Sequence, residues 1–227
     1  MASITKKKTV AGRPASGKTK SKTSAKPVAK TASTKASAKL PAKAKVQVLA
    51  SKVSYQGPVF AVVTDHVLEP GGIESHRDVI RHSGSVVILA VDDVSRPKDP
   101  LIVMERQYRH AAGMYLWELP AGRKEPGEDT LPGAKRELLE ETGYTARRWT
   151  KLVRYFASPG FLGEWMQVYL ARGIVAGKAQ PEPDENIHIE LMPLSQVLGL
   201  IHGGKIHDGK TILSVLLYEA GRRSKKY

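Results

Sequence analysis

The sequence predicts an α+β fold: one domain of many short strands and few helices, preceded by a basic tail. Three observations carry this. Charge is segregated: residues 1–45 hold 13 Lys and Arg and no acid, whereas the remaining 182 residues hold 36 − 13 = 23 basic and 22 acidic groups. From residue 46 onward, apolar residues come in short β-branched runs bounded by Gly and Pro, the pattern of strands separated by turns. Only three stretches have helical spacing together with start and stop signals. The domain boundary falls near residue 45, and about 180 residues suffice for a single core.

The elements follow in order. Residues 46–55 alternate loosely and read as a first strand. Residues 59–68 (VFAVVTDHVL) read as a second, Pro70-Gly71-Gly72 as a turn, and residues 73–81 as the returning strand of a hairpin. Residues 86–91 (VVILAV) form an unbroken apolar run, as a strand buried on both faces should. Residues 101–108 and 115–119 are the next two strands, and Pro120-Ala121-Gly122 opens a loop. A helix is expected over residues 131–142, with Asp129 or Thr130 as its cap, Pro132 in its first turn and Gly143 at its end. Residues 147–156, 165–171 and 187–192 read as strands, and residues 181–185 as an acidic loop. Ser195 is expected to cap a helix reaching His202, and residues 211–222 form the last helix.

The tail is Ala, Lys, Ser and Thr with Pro14, Pro27 and Pro41, in repeating AK, TK and SK units. Its charges repel and it has little to bury, so disorder is expected. It is similar to the lysine-alanine tails of histone-like proteins. Two readings stand: a nonspecific polyanion binder that would hold nucleic acid through counterion release, or a solubilising appendage. Mitochondrial targeting fits less well, because such segments favour Arg and an amphipathic helix. The chain has no Cys, which excludes disulfide and thiol chemistry. It has no apolar run long enough for a membrane span and no secretory signal at its start, so the expectation is a soluble cytoplasmic protein.

The informative stretch is residues 121–144, AGRKEPGEDTLPGAKRELLEETGY. Glu137, Glu140 and Glu141 stand at i, i+3 and i+4, on one face of the expected helix. Three acids there repel one another unless a cation sits among them. Hard cations such as Mg²⁺ take oxygen ligands, usually a few carboxylates plus substrate phosphates. The spacing Gly-x5-Glu-x7-Arg-Glu-Leu-x-Glu-Glu-x-Gly is matched without a gap. With each fixed residue at roughly 5–7% frequency, chance would give such a match on the order of 10⁻⁷ of the time, which sets aside an ordinary solvated acidic face.

That pattern resembles the signature of the Nudix hydrolases, with Tyr144 where the family usually has an aliphatic residue. The resemblance implies the family's α/β/α sandwich with a mixed sheet. It also implies Mg²⁺-dependent cleavage of a pyrophosphate, with Mn²⁺ as a substitute. By resemblance, Glu137 and Glu141 are metal ligands, Glu140 ligates or steadies the metal, and the Ala121 carbonyl adds an oxygen. Arg136 looks like the family's buried arginine, which orients the glutamates, and Glu128 like the brace between loop and helix.

Further matches resemble the ADP-ribose pyrophosphatase branch. Pro159 lies 16 residues after Gly143, and Glu164 follows where this branch has an acid near the phosphates. The loop Glu182-Pro183-Asp184-Glu185 looks like the one carrying the catalytic base. Glu185 is therefore the first candidate base and Glu164 the alternative, because Ile187 stands where the branch has a second acid. Arg106 and Arg109 would meet phosphates or stack on adenine, and Glu118 would hydrogen-bond base or ribose. Residues 46–82 look like the branch's N-terminal dimerisation sheet. The implied function is hydrolysis of ADP-ribose to AMP and ribose 5-phosphate by a homodimer. Another nucleoside diphosphate sugar, such as a GDP-sugar, is the near alternative, and a nonenzymatic nucleic-acid-associated module the distant one.

Overall fold

The computed structural model of the protein describes residues 45–180 and 186–227. The basic tail and the acidic loop at 181–185, Glu185 included, lie outside the described residues. Ten strands and three α-helices follow in chain order: β1 (Gln47–Gln56), β2 (Ala61–Leu68), β3 (Glu74–Arg81), β4 (Ser85–Asp92), β5 (Leu101–Arg109), β6 (Met114–Glu118), β7 (Ala121–Arg123), α1 (Thr130–Thr142), β8 (Tyr144–Phe156), β9 (Trp165–Ala176), β10 (His188–Pro193), α2 (Leu194–His202) and α3 (Gly209–Arg223).

β1, β2 and β3 form a three-stranded antiparallel sheet. The other seven strands make a second sheet of order β10-β5-β4-β9-β8, with β6 on β5 and β7 on β4. β4 and β9 run parallel and the other pairs antiparallel, so the sheet is mixed. β4 is its buried centre, as its unbroken apolar run requires. Val87, Leu89 and Val91 point to one face, where they pack with Val197 of α2 and with Val215 and Tyr218 of α3. Val86, Ile88 and Ala90 point to the other, against Ala134 and Leu138 of α1. Helices thus cover both faces, which is the α/β/α sandwich that the family resemblance implies.

Two local expectations need correction. Ala121–Arg123 is not loop but the short strand β7, pairing Ala121 with Val87 and Gly122 with Val86. Ser195 is not the cap of α2. The N-cap is Pro193, and Asp99 serves the first turn from outside, accepting from the Ser195 backbone N–H and hydroxyl, each at 2.9 Å. α1 stops at Gly143, whose φ of 74° places it in the left-handed region. An added Cβ there would also meet the backbone of Ala179 and Lys178, so glycine is required on two counts.

The small sheet is tied to the large one at two places. Ile80 donates its backbone N–H to the Phe161 carbonyl (2.8 Å) and accepts from the Gly163 N–H (2.9 Å). Arg123 donates to the Pro58 carbonyl at 2.6 Å. Among the described residues no helix is long and apolar enough to cross a membrane.

Candidate active site

α1 lays its acidic face against β7. Glu137 and Glu141 are buried, while Glu140 remains partly exposed. The Ala121 N–H donates to Glu141 Oε2 at 3.0 Å. Gly122 lies so close to Glu137 that an added Cβ would overlap all three heavy atoms of its carboxylate group. Arg136 answers the charge of the cluster. It pairs with Glu137 (2.9 Å), Glu140 (2.9 Å) and Glu128 (3.2 Å). Its hydrogen bond holds Glu128 below the usual carboxylate range, and Glu128 in turn holds Arg136 above the usual guanidinium value. Glu128 also accepts from the Glu125 N–H at 3.1 Å, so it ties the loop before α1 to the helix. Arg136 is 28% exposed, so it is a partly open clamp rather than a fully buried residue.

Arg136 and the three α1 glutamates, with Ala121, Gly122, Arg109, Arg123 and Glu125, border a cavity of about 400 Å³. A second cavity of about 220 Å³ shares Arg109, Ala121, Gly122 and Arg123 with it and is closed by Ser85, Glu164 and Lys210. Together they form one cleft astride β7, with the α1 carboxylates on one side and Glu164 on the other. Ser85 Oγ donates to Glu164 Oε1 at 2.6 Å, fixing that carboxylate.

The strand β5 separates two arginines that the sequence motif suggests should act together. Val103 faces α1, whereas Ile102 and Met104 face α2 and α3. Alternation then puts Arg109 on the α1 side and Arg106 on the other. Arg109 borders the cleft. Arg106 instead lies over the rings of Tyr115 (5.3 Å) and Trp117 (6.0 Å), away from the carboxylates. Glu118 differs from expectation too. It is 2% exposed, and it accepts a two-pronged bond from Arg109, 2.9 Å on each prong, and one from Lys210. Burial would raise its pKa, but Arg109 and Lys210 outweigh burial and hold it below the ordinary range. Glu118 therefore anchors two cations and does not present a free carboxylate to a base or ribose. Pro159 is exposed in the turn before Glu164, where it shapes that loop.

Two participants were not foreseen. Lys210, at the start of α3, bridges Glu118 and Asp208 (3.1 Å). Glu105, opposite Glu118 across β5 and β6, is buried, and burial pushes it up to about 8. Its side chain hydrogen-bonds Glu141. Its Oε1 is buried without a hydrogen-bond partner. Strand parity alone could have signalled Glu105, once Arg109 was assigned to the cleft side.

Among the described residues no three acidic or imidazole side chains already converge as a closed metal cage. The donor set nevertheless suits a hard cation. It consists of carboxylate and backbone oxygens on the wall of an open cleft, and Mg²⁺ is commonly held by one or two carboxylates, water and substrate phosphates.

The chain is similar to known proteins over most of its length. The model for the NUDIX domain matches residues 81–214. An ADP-ribose pyrophosphatase of Bacillus subtilis (strain 168) is 34% identical over 171 residues, covering 74% of this chain and 90% of its own length. An ADP-ribose pyrophosphatase of Mycobacterium tuberculosis (strain ATCC 25618 / H37Rv) is 36% identical over 177 residues, covering 77% and 83%. A crystal structure described as an ADP compounds hydrolase superposes with a TM-score of 0.68 over 80% of this chain and 96% of that one, at 18% identity.

Proposed function

Because the chain belongs to the Nudix hydrolase family, we propose that it hydrolyses the pyrophosphate bond of ADP-ribose, giving AMP and ribose 5-phosphate. The observation that carries this is the cleft astride β7, with α1 carboxylates on one side and Glu164 on the other. Relatives named for ADP-ribose, aligned over about three quarters of the chain, supply the substrate.

Hydrolases of this family generally depend on a divalent metal. We assign it as Mg²⁺, replaceable by Mn²⁺, and it supplies charge neutralisation and polarisation of a phosphoryl oxygen. Glu137, Glu141, Glu140 and the Ala121 carbonyl would hold it. Arg136 keeps the glutamates from splaying and does not itself meet substrate. Arg109, held in place by Glu118, binds a phosphate across the cleft. Glu164, held by Ser85, takes the proton of the attacking water. The water oxygen bonds to phosphorus, the bridging P–O bond breaks, and the leaving phosphate departs with that electron pair. Glu185 is the second candidate for this base.

The finer organisation follows the same reading. Residues 1–45 are a separate tail that binds nucleic acid nonspecifically, and residues 46–227 are the hydrolase domain. Residues 46–82 are the dimerisation sheet, supported by the exposed Val48, Val53 and Tyr55 on its edge strand β1. We place the enzyme in the cytoplasm. A panel of ADP-ribose, GDP-mannose and oxidised nucleoside triphosphates, with Mg²⁺ and chromatographic identification of products, tests the substrate. Faster turnover of GDP-mannose than of ADP-ribose would overturn it.

A further inference from the structure

The outward face of the small sheet carries a second group of metal-ligating side chains, far in chemistry from the carboxylate cleft. His66 of β2 and His76 of β3 are direct cross-strand partners. Their rings stack with centroids 4.8 Å apart and planes 8° from parallel. Glu74, two residues before His76, shares its face of β3, and its Oε2 accepts from His66 Nε2 at 2.8 Å. The opposite face of β2 is taken by the buried Val63, Asp65 and Val67, so the two histidines have no core to fill. They border a shallow cavity of about 420 Å³ with Thr64 and Lys52.

We propose that His66, His76 and Glu74 form a binding site for a zinc-type transition-metal ion. Imidazole suits Zn²⁺, Cu²⁺ and Ni²⁺, whereas Mg²⁺ prefers oxygen. Directly opposed strand positions hold their Cβ atoms about 4.5–5.5 Å apart, within reach of a shared ion. In a tetrahedral zinc site with ligands at about 2.0–2.1 Å, neighbouring donor atoms sit about 3.3 Å apart. Opening the His66–Glu74 contact from 2.8 Å to that spacing needs only a small side-chain rotation. The ion would replace the proton that His66 now donates, as metal binding to such ligands requires. The rings must turn out of their stack, because the three groups do not yet converge on one point. Lys52 and Asp78 are the nearby charges on this face. Asp78 is engaged by the Thr64 hydroxyl at 2.7 Å, and Lys52 is one cross-strand pair removed from His66.

Bound there, the ion would clamp β2 to β3, the strand whose end holds the Phe161–Gly163 loop. The test uses full-length protein stripped with a chelator and then saturated with Mg²⁺, so that the carboxylate cleft is occupied. Calorimetric titration with Zn²⁺ should show one equivalent that H66A and H76A lose, with affinity falling by more than about 100-fold, beyond the loss of about 10–100-fold expected for a supporting residue. Zn²⁺ should raise the melting temperature of the wild type and not of the variants. H66Q and H76Q, which keep polarity and size, serve if an alanine variant folds poorly. Zn²⁺ uptake identical in wild type and folded His variants, or none in the wild type, would overturn the site.

Discussion

Gly122→Ala tests the site at its tightest point. The substitution adds one carbon to β7, and that carbon would meet the Glu137 carboxylate well inside the 3.0 Å that side-chain carbons essentially never breach. The added carbon would stand 2.0 Å from the carboxylate carbon and ordinary contact begins at 3.4 Å, so the carboxylate must withdraw by more than about 1 Å. A misplacement of about 1 Å in a catalytic array can cost about 10²-fold. The displaced group is the end of a flexible side chain, so the fold should survive. The pairing of β7 with β4 uses backbone atoms that alanine retains. The assay is ADP-ribose hydrolysis at saturating Mg²⁺ beside a melting curve. The expected result is kcat reduced about 10²-fold with the melting temperature nearly unchanged. Gly133→Ala is the graded control, because its Cβ would stand 2.8 Å from Glu128 Oε2 and disturb only the brace; it should lose less. Wild-type kcat in a folded Gly122→Ala protein would refute the claim that Glu137 must lie against β7.

Other outcomes follow from the same geometry. Glu141→Gln should keep the fold and lose activity by about 10² or more, measured at saturating Mg²⁺; normal turnover removes Glu141 from the metal set. Glu164→Gln should slow hydrolysis about 10²–10⁴-fold, and a larger loss in Glu185→Gln would move the base to the acidic loop. Glu118→Leu leaves Lys210 with Asp208 alone and takes the carboxylate from the half-exposed Arg109, so it should destabilise by less than the about 3–5 kcal/mol of a fully buried broken pair, read by urea unfolding. Because the folded-state pKa of Glu118 is depressed, its stabilisation is present above the ordinary carboxylate pKa and lost as pH falls through the folded value. Acid unfolding should therefore be less steep in that variant. Deleting residues 1–45 should spare hydrolysis and melting temperature but abolish salt-sensitive binding to a fluorescent DNA duplex; equal binding by both forms would place the nucleic-acid site on the domain.

Most strands could be read from local composition because their boundaries are Gly, Pro and charge. The run at residues 86–91 declared a central strand, since only burial on both faces tolerates it. Tertiary pairings were harder. β7 is three residues long, and its strand character comes from β4 rather than from its own side chains. Asp99 displaced Ser195 from its expected role through a contact spanning 96 positions. In the site, the acids of α1 were apparent from helical spacing, because i, i+3 and i+4 are local. The separate surroundings of Arg106 and the ion pairs of Glu118 needed register to be seen. Motif proximity joins Arg106 to Arg109, but three steps along a strand put them on opposite faces. Nothing in the residues around Glu118 announces Lys210, 92 positions away.

The link between Ile80 and the Phe161–Gly163 loop has a consequence for anyone cutting the gene. The stretch matched by the family model begins at residue 81, one position after the residue that lends that loop both of its cross-sheet bonds. A fragment started there would keep every α1 carboxylate and still lose the rail along which Glu164 is delivered. It would also leave Arg123 without the Pro58 carbonyl. Grafting only the matched stretch onto another scaffold would carry Glu164 and its Ser85 partner but leave the loop before Glu164 without the strand that braces it.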